Sequence, residues 1–257
     1  MSNLELIKKV REQTGAGMME VKKALEEAGD DEQKAMEILR KSGAAKVAKK
    51  SSRSATEGLI NIEISQDHKK ASIIQINCET DFVAKNETFI NFVSEISKKN
   101  METGEVEKEF ESKREDMVLK IGENIVLGNS DILEGEYVSN YIHPNKKVGA
   151  LILFSKEMPE ELAHDIAMQV AASNPLYLKP EDVPIDVLEK EKEIYREQLA
   201  KENKPEDIVE KIIQGKINKY YQENCLLKQI FIKDDKKIIE QLLPQGAEII
   251  KFIRYSL

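Results

Sequence analysis

The sequence predicts an α+β protein with a helical N-terminal domain, because the spacing of its apolar residues changes near residue 58. Before that point apolar residues recur every three or four positions, which is typical of amphipathic helices. Beyond it they alternate with polar residues, which is typical of strands with one buried face. The strand pattern, followed by a helix, occurs twice along the 257 residues. We therefore expect two related α+β subdomains with antiparallel sheets.

Residues 1–44 are predicted to form a domain of three short helices around one small core. Asp30 is predicted to cap the third helix, and Gly43 is predicted to end it. Segment 45–57 is polar and basic without an apolar face, so we expect a linker there. The breaks between the helices are expected at Gly15, Gly17 and Gly29.

Residues 58–135 are predicted to form the first core subdomain, with a β-hairpin, a helix, a charged helix and a third strand. The second core subdomain comprises residues 136–184 and 225–257, because "KKVGALIL" corresponds to "KKASIIQI" and "GAEIIKF" to "GENIVL". The apolar stripe of the first subdomain's main helix is expected to consist of Phe89, Phe92, Val93 and Ile96.

Residues 185–224 interrupt the second subdomain and are predicted to form a helical-hairpin arm. Its second helix carries more apolar residues than the first helix is expected to cover. A second copy of the arm would complete their burial, so we predict a homodimer through this arm. The stripe consists of Val209, Ile212, Ile213, Ile217 and Tyr220.

Charge and composition favour a soluble protein that binds other proteins. The 47 acidic residues exceed the 39 basic ones and are spread along the chain, which argues against direct nucleic-acid binding. No apolar run reaches the length of a membrane span, so no membrane association is expected. The two cysteines form no disulfide framework, and the N-terminus resembles neither a signal nor a transit peptide. We expect a cytoplasmic protein, with an organellar matrix as the alternative.

Motifs for catalysis or cofactor binding are absent from the sequence. The three histidines lack metal-ligand spacing, and "TGAGMM" lacks the third glycine of a dinucleotide-binding loop. His68 and His143 are each expected to be a solvated turn residue. We therefore expect no enzyme activity, no cofactor and no metal site.

The stretch "CETDFVAKN" places an aromatic residue, Phe82, among charged neighbours just after a predicted strand. Thr80 or Asp81 is expected to cap a following helix, and Phe82 either folds back onto Phe89 or is displayed to a partner. The corresponding stretch of the second subdomain, "SKEMP", has neither the Asp nor the Phe. The fold itself therefore does not require them.

Two methionines begin the second helix. One arrangement buries either Met18 or Met19 and exposes the other beside Arg11, Lys22 and Lys23, where a thioether suits adaptable protein contacts. In the alternative arrangement both methionines fill the small core.

Seven motifs occur in order along nearly the whole chain: "VREQTGAGMMEVKKAL", "ILRKSGAAKVAKK", "INCETDFVAKNETF", "KIGENIVL", "GALILF", "AMQVAASNPLYLKPEDVP" and "FIRYSL". Together they resemble the bacterial and organellar elongation factor Ts family. This resemblance implies a ubiquitin-associated-like N-terminal domain, two related subdomains and a dimerisation arm. It also implies guanine-nucleotide exchange on the GTPase elongation factor Tu. Familiar members carry a further C-terminal helical module, which we do not expect here.

The resemblance also assigns site residues. Thr80, Asp81, Phe82 and Val83 match the family motif that intrudes beside the GTPase's Mg²⁺ ion. The core position His143 matches one that lies close to that motif in the family. Positions on the N-terminal domain that dock the GTPase are matched by Arg11, Met18, Met19 and Lys22.

Two other functions stay open from the sequence. A ubiquitin-associated-like scaffold would bind proteins without changing nucleotide affinity. A metal-dependent hydrolase using the many carboxylates is less favoured, because ligand spacing is lacking.

Overall fold

The computed structural model describes residues 3–14, 16–200 and 205–257. The described helices are α1 (Asn3–Thr14), α2 (Met18–Ala28), α3 (Glu32–Lys50), α4 (Asp81–Ala84), α5 (Glu87–Thr103), α6 (Val106–Ile121), α7 (Glu160–Ser173), α8 (Ile185–Leu199), α9 (Glu206–Asn224) and α10 (Ile239–Leu242). The described strands are β1 (Glu57–Ile64), β2 (Lys70–Cys78), β3 (Val126–Glu134), β4 (Tyr137–Ile142), β5 (Val148–Phe154), β6 (Ile230–Phe231), β7 (Asp234–Ile238) and β8 (Ile249–Ser256). This mixture of helices and small sheets confirms the α+β class.

The described chain divides into two compact units. The first holds the described residues up to 63 together with residues 72–132, and the second holds residues 64–71 and 133–256. Each unit has its own buried apolar cluster.

Helices α1, α2 and α3 pack around a small core in the first unit, as predicted. Gly29 ends α2 in the left-handed conformation, at φ 65°. The cap of α3 is Asp31 and not Asp30, since Asp31 Oδ1 accepts the Lys34 backbone N–H at 3.0 Å. The predicted break at Gly15 lies outside the described residues. The buried core residues are Ile7, Val10, Val21, Ala24, Leu25, Ala35 and Leu39.

Helix α3 continues through Gly43 to Lys50, so the predicted stop at Gly43 is wrong. Gly43 is buried, and a Cβ there would lie 2.9 Å from Leu119 Cδ1 on α6. The missing side chain thus allows α3 to approach α6 closely. One turn later, Val47 is buried in the main cluster of the first unit. The linker prediction for 45–57 is therefore wrong as far as Lys50, because these residues pack on a partner that is distant in sequence.

The sheet of the first unit has the order β1-β2-β3, and α5 and α6 supply the rest of its core. The predicted α5 stripe is confirmed, since Phe89, Phe92, Val93 and Ile96 are all buried. On β2, Ile74, Ile76 and Cys78 belong to the same cluster. The end of β2 is therefore held firmly where the "TDFV" segment begins.

The second unit contains an antiparallel sheet of order β4-β5-β8. As in the first sheet, a hairpin is completed by a later strand beside its second member. Helix α7 contributes Ala163, Ile166, Ala167 and Val170 to the buried cluster of this unit. The two sheets thus have the same strand order, as the repeated sequence pattern predicts.

His68, at the tip of the β1–β2 hairpin, is not a solvated turn residue, so that prediction is wrong. Its backbone has a φ of 56°, and its ring stacks on Tyr137 with centroids 5.1 Å apart. The His68 carbonyl oxygen accepts the Val138 backbone N–H at 2.6 Å. These neighbours are distant in sequence, and local polarity therefore gave no sign of them.

Helices α8 and α9 form the predicted arm, and α8 covers the α9 stripe in part. Ile213 and Ile217 are buried together with Leu199, and Arg196 pairs with Glu210 at 3.0 Å. Val209, Ile212 and Tyr220 are only half-buried, so part of the stripe is left open to a further contact. The homodimer stays a prediction. The residues partly buried against this cluster are Leu188, Tyr195, Val209, Ile212 and Tyr221.

Substituting Gly58 by Ala is expected to destabilise the first unit, whereas Gly215→Ala is expected to stabilise the protein. Gly58 has a φ of 150°, and a Cβ there would lie 2.2 Å from the Ile76 carbonyl oxygen. Strain and backbone displacement should cost about 2 to 3 kcal/mol. Gly215 lies within α9 with open space around its Cβ direction, so alanine should add about 0.5 to 1 kcal/mol. Chemical denaturation measures both changes, and equal stability of the two variants would contradict the steric argument.

Candidate functional site

The "TDFV" segment makes up most of the helical turn that follows β2: Thr80 precedes the single-turn helix α4, and Asp81, Phe82 and Val83 lie within it. Thr80 has an extended backbone and is the N-cap residue of α4, because its Oγ1 accepts the Val83 N–H at 3.4 Å. Of the two predicted caps, Thr80 is therefore the one used. Val83 is partly buried against the cluster beneath, and Ala84 is buried within it. These inward contacts leave Phe82 on the outer side of the turn.

Phe82 is 79% exposed, although it is a large aromatic residue. The alternative in which it folds back onto Phe89 is wrong, since Phe89 is buried without it. An aromatic ring in water gains nothing for the fold from its apolar area, so its place is not explained by packing. The geometry is that of an anchor displayed on a short helix.

Asp81 pairs with Lys85, whose Nζ lies 2.7 Å from Asp81 Oδ2. The pair spans one helical turn at the surface, and such pairs contribute about 0 to 1 kcal/mol. The Asp81 carboxylate can therefore exchange this partner for another cation at little cost.

Beneath the turn lies a network that sequence reasoning missed. Glu123, in the loop between α6 and β3, accepts the backbone N–H groups of Glu79 and Thr80, both at 3.0 Å. Its other oxygen accepts the Thr80 hydroxyl at 2.7 Å. Glu79 in turn accepts the Asn124 backbone N–H at 2.6 Å. The only sequence signal was the "GEN" that opens the third-strand motif.

Cys78 lies at the base of the same turn and donates from Sγ to the Thr80 carbonyl oxygen at 3.2 Å. Burial, with the nearby Glu123 charge, raises the pKa of the Cys78 thiol to about 12. Burial also raises the pKa of the Cys225 thiol to about 11, with Asp182 and Glu181 adding to the effect. Both thiols are free and buried, which favours a packing role for each.

Both methionines at the start of α2 are exposed, Met18 to 50% and Met19 to 74%. The prediction that one packs inward is wrong, and so is the alternative that both fill the core. Val21, Ala24 and Leu25 fill that space instead.

The predicted docking residues of the N-terminal domain all lie at its surface. Arg11 on α1 and Lys22 on α2 are exposed. Glu20 pairs with Lys46 of α3, and this hydrogen bond lowers the pKa of the Glu20 carboxyl. The pair ties the methionine end of α2 to α3. A shallow depression on α2 is lined by Met19, Glu20, Lys22, Lys23 and Glu26.

His143 lies in the turn between β4 and β5 and is exposed. Its Nδ1 is 2.8 Å from Asn145 Oδ1, and its backbone N–H donates to the Val148 carbonyl oxygen at 2.9 Å. The ring is thus presented on an ordered turn of the second unit, as expected for a solvated turn residue.

Within 3–14, 16–200 and 205–257, no group of three or more His, Cys, Asp or Glu side chains is arranged to hold a metal ion. None of the helices that the structure describes combines the length and apolarity needed to cross a membrane.

The fold and site define a class of protein: a three-helix module and a duplicated α+β core, both displaying apolar side chains to solvent. The family description "Elongation factor TS" matches residues 79–257. An elongation factor Ts of Nitratiruptor sp. is 45% identical over 98% of this chain and 91% of its own length. One of Aquifex aeolicus is 42% identical over 99% and 97%, and one of Clostridium botulinum is 43% identical over 100% and 92%. The chain belongs to the elongation factor Ts family and is a translation elongation factor.

Both cysteines are expected to resist thiol reagents in the native protein. Only the thiolate reacts, and thiols whose pKa is about 11 to 12 stay protonated at pH 8. A disulfide reagent such as dithionitrobenzoate should label neither residue within minutes at pH 8, and should label both after denaturation in urea. Rapid labelling of the folded protein would contradict the burial of these thiols.

Proposed function

We propose that this chain is a guanine-nucleotide exchange factor for the GTPase elongation factor Tu. It binds the GDP complex, disturbs the Mg²⁺ and phosphate site, and promotes GDP release so that GTP can bind. The observation that carries the proposal is the display of Phe82 on a firmly based turn, since the fold gains nothing from exposing it. Membership of the elongation factor Ts family supports the choice of partner.

Exchange of this kind requires no covalent step. GTPases hold GDP through backbone groups around the phosphates and through a Mg²⁺ ion. A factor that binds the nucleotide-free GTPase more tightly than the GDP complex must, by linkage, weaken GDP binding to the same extent. We accordingly propose that the chain is not an enzyme and uses no cofactor of its own.

Within the turn, Phe82 and Asp81 have separate roles. Phe82 is the anchor that fills an apolar pocket of the GTPase, as aromatic hot-spot residues do. Asp81 brings a carboxylate close to the partner's metal shell, and its weak surface pair with Lys85 can be given up on docking. Thr80 caps the helix that carries them, and Val83 packs it down.

The N-terminal domain supplies a second contact. Met18 and Met19 present flexible thioethers, which suit an adaptable protein interface. Arg11 and Lys22, both exposed, add positive charge to the surface of the domain. The exposed His143 is assigned a further contact from the second unit.

The exposed methionines favour one alternative, a protein-binding scaffold without exchange activity. Elongation factor Tu loaded with a fluorescent GDP analogue separates the two functions. An exchange factor accelerates the loss of fluorescence when excess GTP is present. A scaffold binds the GTPase, as measured by calorimetry, and leaves the release rate unchanged.

Phe82→Ala should slow GDP release strongly without affecting the fold. Truncating an aromatic anchor typically costs about 2 to 4 kcal/mol of interaction. The melting temperature should be unchanged, because Phe82 packs against little in the free protein. The measurement is the second-order rate constant of stimulated GDP release.

Ile185→Ala is the matched control, because Ile185 is equally exposed, at 79%, but lies at the start of the arm. We expect this variant to retain exchange activity. Normal activity of Phe82→Ala, or its unfolding, would contradict the anchor role.

Asp81→Asn should weaken stimulation at millimolar Mg²⁺ and have a smaller effect when Mg²⁺ is chelated. The substitution keeps size and removes the charge that competes for the metal shell. Lys85→Ala breaks the same surface pair but leaves the Asp81 charge, so it should exchange normally. An equal defect of Asp81→Asn with and without Mg²⁺ would rule out a role through the metal.

A further inference from the structure

We propose that Glu123 and Glu79 are positioning residues: each carboxylate accepts backbone N–H groups from the segment that carries the other, and this clasp fixes the turn that displays Phe82. The inference rests on the proposed function and deepens it. It explains what holds an otherwise weakly supported turn in the orientation that docking needs. The two residues stand 44 positions apart and belong to the same compact unit.

The first half of the clasp is the Glu123 carboxylate. It receives three donors from two consecutive residues, namely the N–H groups of Glu79 and Thr80 and the hydroxyl of Thr80. Two fixed donors on one backbone segment define its direction as well as its position. Hydrogen bonds to an ionised acceptor are stronger than neutral ones, so this contact dominates the turn.

The second half of the clasp is the Glu79 carboxylate, which binds the segment that carries Glu123. Glu79 accepts the Asn124 backbone N–H and also pairs with Arg53 at 3.4 Å. Asn124 is buried, and its side-chain amide donates to the Arg53 carbonyl oxygen at 2.8 Å. Arg114 Nε donates to the Ile125 carbonyl oxygen at 2.8 Å. The loop that carries Glu123 is therefore itself anchored and can serve as a fixed support.

The helix that carries Phe82 supplies little stability of its own. Helix α4 has four residues, which is too short to be stable without tertiary support. Its Asp81–Lys85 pair is at the surface and weak. Without the clasp, Phe82 would have to be ordered during docking, and the entropy cost would be taken from the binding free energy.

Glu123→Gln separates positioning from charge. The glutamine oxygen can accept the two backbone N–H groups, and its amide can donate to Thr80 Oγ1, so every contact has a replacement. Glu123→Ala removes all of them. If Glu123 instead acts by its charge on the partner's metal, Gln and Ala will be equally defective.

The first measurement is hydrogen exchange of the free protein, followed by mass spectrometry. Glu123→Ala should speed exchange in peptides covering residues 79–86 by about tenfold or more, whereas Glu123→Gln should stay near the wild-type rate. Peptides from the second unit should be unchanged in both variants. Unchanged protection of residues 79–86 in Glu123→Ala would overturn the clasp, whatever the activity of the protein.

The second measurement is GDP release, with the substitutions made in both the wild-type and the Phe82→Ala backgrounds. Glu123→Ala should lower the stimulated rate constant by about tenfold in the first background and by less than about twofold in the second, since the residues act through one element. If the defects of Glu123→Ala and Phe82→Ala multiply, or if Glu123→Gln is as defective as Glu123→Ala, Glu123 is not a positioning residue. If Glu123→Ala does not fold, Glu79→Ala and Thr80→Val each remove one side chain of the network and must show the same coupling to Phe82.

The two measurements distinguish this inference from the proposed function. If the wild-type chain does not stimulate GDP release, the proposed function fails, while the hydrogen-exchange result still decides the clasp. If the wild-type chain is active and residues 79–86 are indifferent to Glu123→Ala, the inference alone fails.

Discussion

Burial of β2 against α5 determines the residue at which the turn of the candidate site begins. Ile74, Ile76 and Cys78 on the strand and Phe89 on the helix are fully removed from water, and moving a buried strand by one residue would reverse which side chains face the core. The strand therefore ends at one defined point. The turn that follows starts from a rigid base, and only its outer side is available to another molecule.

The two α+β units use the equivalent turn differently. In the first unit Phe82 is exposed, whereas Met158, in the "SKEMP" segment of the second, is buried in that unit's apolar cluster. The same strand order therefore tolerates an inward or an outward apolar residue at this turn. The contrast supports the view that Phe82 is outward for a reason other than stability, because the second unit shows that an apolar side chain there can be buried.

Sequence periodicity predicted the longer helices, the β1–β2 and β4–β5 hairpins and the α5 stripe, because these depend on neighbours within a few positions. It did not predict α10 or the short β6–β7 pair. It failed where a residue distant in sequence determines the local structure. Gly43 resembles a helix stop until Leu119 is placed against it, and His68 resembles a solvated residue until Tyr137 stacks on it. The exposed position of Phe82 was one of two open alternatives. Glu123 was missed because a carboxylate that accepts backbone N–H groups leaves no periodic pattern.

The base of the turn is held by several hydrogen bonds, whereas the Asp81–Lys85 pair at its outer side is weak, and this contrast is relevant to nucleotide exchange. A factor that must bind and then leave gains from spending little free energy on ordering its own contact residues, since that cost reduces its affinity for the GTPase. At this turn the hydrogen bonds of Glu123, Glu79 and Cys78 lie within the protein and order the backbone before docking. The part that would change partner is the Asp81–Lys85 pair, which is weak because it is exposed. Under the proposed function, such a division would let Phe82 arrive already oriented while Asp81 exchanges Lys85 for another cation.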